Sequence, residues 1–220
     1  MGPLEARSAG HRYGVVLLLA VLTVVFLVVA PERAGSRAVA LALSGAILLT
    51  VVVTSRSPLD LRRRAAGTLV LGTALLAVAV AVDVVPGWVG SLVAGLLLLV
   101  TLGELVRGLV RLLREQGVTP QAVAGALAVY LLLGVVYAIA IGVAARLHDG
   151  PYFAQGIDGT TSQQAYFSFT SLTTTGFGDL TAATRGGRAL TVVEMLTGQI
   201  YLVTVIALLV GNLRHRDPPG

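Results

Sequence analysis

Six long apolar runs alternate with short polar breaks along the 220 residues. The first, 13–30, ends at Pro31, and 38–54 ends at Ser55, Arg56, Ser57 and Pro58. The third, 67–85, is broken by Pro86 and Gly87; the fourth starts at Trp88 and stays apolar to Thr101 before turning amphipathic; 121–145 and 188–213 complete the set. Each approaches the roughly 20 residues that a helix needs to cross a hydrocarbon core. A seventh segment, 161–173, differs. It opens on Thr161 and Ser162 as candidate N-caps, carries an aromatic face, and at about a dozen residues is too short to span. The pattern predicts an all-α membrane protein: six transmembrane helices plus a half-helix that enters the membrane and stops.

Composition strengthens this. The chain is 55% hydrophobic with a mean hydropathy of +0.86, more apolar surface than a soluble domain of this length needs to bury. Only 5% is aromatic, and the bulk is Leu, Val, Ala and Gly, residues that let membrane helices approach closely. The net charge of +5 comes from arginine without any lysine, and the arginines sit at span ends, which reads as topology and not as a nucleic-acid surface. Without cysteine there are no disulfides and no thiolate metal sites. Arg7 and Arg12 before the first run resemble the start of a signal peptide, but the run has the length of a span and no small-residue cleavage site precedes Pro31, so it is read as a retained helix. Loops on the side of the termini hold Arg7, Arg12, Arg56, Arg62, Arg63, Arg64, Arg107, Arg111, Arg114, Arg214 and Arg216; the other side holds Arg33, Arg37, Arg146, Arg185 and Arg188. That asymmetry predicts a multi-pass protein of the cell membrane with both termini cytoplasmic.

The candidate chemistry lies between the last two runs, in Ser171, Leu172, Thr173, Thr174, Thr175, Gly176, Phe177, Gly178 and Asp179. Gly176 and Gly178 lack a Cβ and can adopt dihedrals closed to other residues. Alternated with Thr175 and Phe177, they let successive carbonyls point the same way, as no strand does. Four copies around an axis would stack carbonyl rings that replace the hydration shell of a cation, with the Thr174 hydroxyl as a further ring. The half-helix before them would aim the negative end of its dipole at the membrane centre.

Thr174, Thr175, Gly176, Phe177, Gly178 and Asp179 resemble the T-x-G-[YF]-G-D selectivity filter of the potassium-channel family, here of a bacterial six-transmembrane type; the likeness covers 118–213. It implies a homotetramer in which the carbonyls of Thr174, Thr175, Gly176 and Phe177 and the Thr174 hydroxyl hold K+ as the permeant ion, with no cofactor and no enzymatic step. It further implies Asp179 at the outer mouth, Gly198 as a gating hinge, and Tyr166 and Phe167 as aromatic filter support. Thr175 stands where Val or Ile is usual, Phe177 where Tyr is commoner, and Thr170 where some relatives carry a Glu. The organisation expected is a charge-poor four-helix domain with a linker helix over 1–117, a pore domain over 118–213, and a short cytoplasmic tail over 214–220. Membrane lipids are the other expected partner; no soluble partner domain and no nucleic acid are implied.

The function expected is passive K+ conduction. One alternative is a weakly selective monovalent cation channel, motivated by Thr175 and Phe177. Another, from a different class, is a potassium-uptake transporter subunit, whose relatives resemble four filter repeats per chain where this chain has one; a non-conducting membrane assembly protein is a third. Glu104, Arg107, Arg111 and Arg114 share one helical face. They are read as an interfacial linker meeting lipid phosphates, because a gating charge must lie in the field, where it is worth about 2.3 kcal/mol per 100 mV, and 88–101 holds no basic residue. Glu194, one turn before Gly198, is a functional candidate by depth; the alternative is a hydrogen bond to the half-helix that supports the filter. Asp83 is read as reaching the membrane interface, His148 as solvated, Gln199 and Tyr201 as packing groups, and Asp149 and Asp158 as additional negative charge near the mouth.

Overall fold

The computed structural model describes the backbone of residues 3–54, 59–82, 84–147 and 149–213. Asp83, His148 and 214–220, singled out above, lie outside the described residues. Within them are seven α-helices: α1 (Pro3–Val29), α2 (Ala34–Thr54), α3 (Leu59–Ala81), α4 (Gly87–Gln116), α5 (Pro120–Leu147), α6 (Thr161–Leu172) and α7 (Arg185–Leu213). Three stretches are long and apolar enough to cross a membrane, Gly35–Val53, Trp88–Gln116 and Pro120–Leu147, and two shorter apolar ones are Tyr13–Val29 and Gly67–Ala81. α7 is diluted by Thr191, Glu194, Thr197, Gln199 and Tyr201.

Two boundaries differ from the pattern. The apolar and amphipathic parts of the fourth run form one unbroken helix: neither Gly103 nor Gly108 stops it, and it ends only at Gly117, whose φ of 68° suits glycine. The half-helix is capped one residue earlier than expected, by Thr160. α5 starts cleanly because Pro120, whose missing N–H is no loss in a first turn, follows Thr119, whose hydroxyl accepts the Ala122 N–H at 3.2 Å.

The core is built on α5. One cluster joins Val16, Ala20 and Leu27 of α1, Ile47 of α2, Leu98 of α4, Ala128, Leu132 and Val135 of α5, and Ala165 of α6. α1 therefore packs on α5 and on the short helix α6, whereas α3 packs mainly on α2 and leaves Leu71, Leu75 and Val78 exposed. Glycines on α5 act as sockets: a Cβ at Gly125 would fall 2.8 Å from the Tyr13 ring, at Gly134 2.6 Å from Phe169, and at Gly142 2.5 Å from Gln164. Small residues thus admit α1 and α6 against the same helix, the usual device where lipid supplies no hydrophobic drive between helices.

Candidate functional site: the half-helix and the segment after it

The site is framed by α6 and the residues 173–179. At its start, Thr160 and Gln163 form a capping box: the Thr160 hydroxyl accepts the Gln163 N–H at 3.2 Å and the Gln163 side-chain oxygen accepts the Thr160 N–H at 2.8 Å. A third amide is held from far away in sequence. The Glu32 carboxylate, in the turn between α1 and α2, accepts the Thr161 N–H at 2.6 Å, and the Ser162 hydroxyl donates to the Val28 carbonyl at 2.7 Å. Replacing Glu32 by alanine is expected to destabilise the protein by about 1 kcal/mol, as for a lost cap. Glu32→Gln, which keeps an acceptor, should lose less. Thermal unfolding in detergent checks this, and equal midpoints for Glu32→Ala and wild type would refute it.

At the other end, the amides turn back on the helix. The N–H of Thr174 donates to Ser171 O at 2.9 Å, and those of Thr175 and Gly176 both donate to Thr170 O, at 2.9 and 3.1 Å. The chain has no cis peptide bond. In a planar trans peptide the C=O points opposite to the N–H of the following residue. Three amides directed at α6 therefore direct three consecutive carbonyls, those of Thr173, Thr174 and Thr175, away from it to one side. The dihedrals alternate accordingly, with positive φ at Thr174 (57°), Gly176 (53°) and Gly178 (81°). Thr174 is the one non-glycine residue with positive φ among those described, and for a β-branched side chain this is a strained conformation of order 1–3 kcal/mol. Residues 173–179 are all exposed in the single chain. The Thr173 and Thr175 hydroxyls bond each other at 2.8 Å, and the former also donates to Phe169 O.

The flanking side chains divide into two sets. Phe177 leans back on α6, stacked on Tyr166 with centroids 6.2 Å apart and rings 6° from parallel. Phe167 points elsewhere, into a cluster with Phe153, Tyr152, Ile141 and Ala182, where it meets Phe153 edge-on at 5.1 Å. Tyr152 is buried there, and burial pushes its phenol above the usual value. Gly198 of α7 faces the end of α6: a Cβ there would overlap the Leu172 carbonyl oxygen and stand 3.0 Å from its carbon. This supplies a reason for glycine that is independent of bending, and α7 runs through 198 without a break. The same Leu172 oxygen accepts the Tyr130 hydroxyl at 3.2 Å. Tyr201 is a packing group, stacked on Tyr130 and donating to Ala126 O at 2.7 Å, while Gln199 is exposed.

Glu194 is fully buried and meets α6. Its Oε1 lies 2.5 Å from the Ser168 hydroxyl, which lies 2.8 Å from Gly134 O of α5. One serine proton cannot serve two acceptors, so both contacts are hydrogen bonds when Glu194 contributes the second proton as a neutral acid.

Gln155 went unnoticed in the sequence. Its amide donates to Asp179 O at 2.8 Å and accepts the Thr181 N–H at 3.3 Å, while Phe153 and Ala182 form an antiparallel bridge. The loop before α6 thereby holds the chain leaving 173–179. Only its placement among turn residues signalled it, and one Gln in a loop carries no spacing. Asp149, Asp158 and Asp179 are all exposed, and Asp158 is also engaged locally, accepting the Tyr152 N–H at 2.9 Å. Arg107, Arg111 and Arg114 lie exposed along α4, and Arg107 pairs with Glu104 of its own helix at 2.6 Å. Among the described residues no group of three or more His, Cys, Asp or Glu side chains is placed to hold a metal ion.

Residues 125–215 match the model of a family described as "Ion channel". The window opens within α5 and takes in α6, 173–179 and α7. No curated protein and no solved structure matches the chain. The match supports an ion-channel pore in this window, and the helices support a multi-pass α-helical membrane protein.

Proposed function

We propose that the protein is a homotetrameric potassium-selective channel of a six-helix type, conducting K+ passively through a filter formed by Thr174, Thr175, Gly176, Phe177 and Gly178. The observation that carries this is the row of carbonyls sent to one side by amides that turn back on α6, together with the alternating positive φ that lets the row continue through two glycines. Oxygen dipoles so directed can replace water around a dehydrated cation. A single chain offers a half-open trough of about 510 Å³ beside this segment, walled by Thr174, Gly176, Gly178, Val192 and Met195. Val192, Val193, Leu196, Ile200 and Val203 are also exposed along α7. An apolar helix face beside an exposed backbone row is what neighbouring copies around an axis would cover. In this reading six of the helices span, α6 is re-entrant, Asp179 rims the outer mouth, both termini are cytoplasmic, and gating is not strongly voltage-dependent, because the arginines of α4 pair within their own helix or face outward.

The test is the reversal potential of purified protein in planar bilayers under opposed K+ and Na+ gradients. Reversal near the K+ equilibrium value is expected, and Gly178→Ala should abolish conduction or remove selectivity. A reversal near zero would favour the weakly selective cation channel, and K+-selective current surviving Gly178→Ala would count against this filter.

A further inference from the structure

A cavity remains between the N-terminal helices and α5 that the conduction path does not use. It has a volume of about 270 Å³ and a polar lining that includes Arg37 in the first turn of α2, Arg146 in the last turn of α5, and Trp88 at the start of α4. This is ample room for a phosphate ester. A second, mainly apolar crevice of about 70 Å³ adjoins it, lined by Phe26, Leu41, Ala94 and Val135, and shares Leu27, Arg37, Ser91 and Ile139 with it.

Position fixes the level. The turn carrying Glu32 is bonded to the first turn of α6, so Arg37, Trp88, Arg146 and the start of α6 lie at one end of the helices. The apolar crevice runs from that level along α1, α2, α4 and α5 toward their middles. An indole at the mouth of a membrane-depth crevice is typical of the headgroup region. Arg37 is half-buried and Arg146 exposed; among the described residues neither pairs with a carboxylate. The lining sets two arginines against one acid, Glu32, whose carboxylate is turned to the Thr161 amide, so the cavity carries a net positive charge.

We infer that this cavity and crevice form a binding site for an anionic phospholipid, its phosphate held between Arg37 and Arg146 and an acyl chain entering the crevice beside Leu27 and Ile139. Guanidinium forks suit phosphate oxygens, and the apolar extension selects a molecule that carries a chain over a free anion. The occupant would touch both α5 and the turn that holds α6. The site does not depend on which ion passes 173–179.

The test is native mass spectrometry of the full chain released from nanodiscs that hold equal dioleoyl-phosphatidylglycerol and dioleoyl-phosphatidylcholine. Retention of phosphatidylglycerol over phosphatidylcholine by about fivefold per arginine is expected for the wild type. Arg37→Gln with Arg146→Gln should bring the two lipids level, and Arg37→Lys with Arg146→Lys should keep most of the preference. Equal retention of both lipids by the wild type overturns the inference, and so does an undiminished preference in the double glutamine variant. Displacement of phosphatidylglycerol by millimolar glycerol phosphate would overturn the lipid assignment in favour of a soluble phosphate ester. Should the glutamine variant not fold, the wild-type comparison still decides.

Discussion

Gly198→Ala is expected to abolish conduction and deplete the proposed tetramer. The added methyl would meet the carbonyl of Leu172 and the Leu172 side chain, and neither can yield easily. The carbonyl is main chain at the last turn of α6 and is also held by Tyr130, and Thr173 to Thr175 follow it directly. Overpacking of a well-fitted contact costs about 1–3 kcal/mol, and the backbone character of this one places it at the upper end. Size-exclusion of detergent-purified protein reports assembly, and bilayer recording reports current. The paired control is Gly103→Ala in α4, where nothing lies within 4 Å and no change is expected. Wild-type assembly and current in Gly198→Ala would show that α7 does not need this approach to α6.

The second large effect is expected at Glu194. Alanine there removes the group that completes the chain from α7 through Ser168 to Gly134 and leaves a void in a fully buried place. A cavity, together with the lost bond between α7 and Ser168, which keeps its bond to Gly134 O, predicts a loss of about 2–4 kcal/mol. Glu194→Gln keeps the volume and offers an N–H to Ser168, so it should stay within about 1 kcal/mol of the wild type. Unfolding midpoints in detergent separate the two, with open-channel stability as a second readout. If both substitutions were equally harmful, the hydrogen-bond chain would not be what matters at 194.

What the sequence showed and what it hid follow from the range of each interaction. Helices announced themselves through apolar length, and 171–179 through glycines at a spacing that few other structures need. The strained backbone at Thr174 was hidden, because threonine does not advertise positive φ and the strain is sustained by bonds to the carbonyls of Thr170 and Ser171. Glu32 was equally invisible: it binds a residue 129 positions away, and only the packing of α1 on α6 brings them together. Thr160 was missed in favour of Thr161 because three adjacent hydroxyl-bearing residues are all plausible caps, and Gln163 selects among them by reaching back. The continuity of α4 overrode a change of polarity within it, since a switch from buried to surface character does not interrupt a helix.

Thr170 presents one main-chain oxygen to two amides, and Ser171 presents its own to a third. The direction of the carbonyls of Thr173, Thr174 and Thr175 is thus written in backbone atoms. Threonine at 175 and phenylalanine at 177, unusual beside the pattern they resemble, leave those anchors untouched. Side-chain mutagenesis at 170 or 171 would pass over the anchors as well. An amide-to-ester exchange at Thr175 or Gly176, which removes one of these N–H donors and also weakens the carbonyl of the residue before it, addresses them directly.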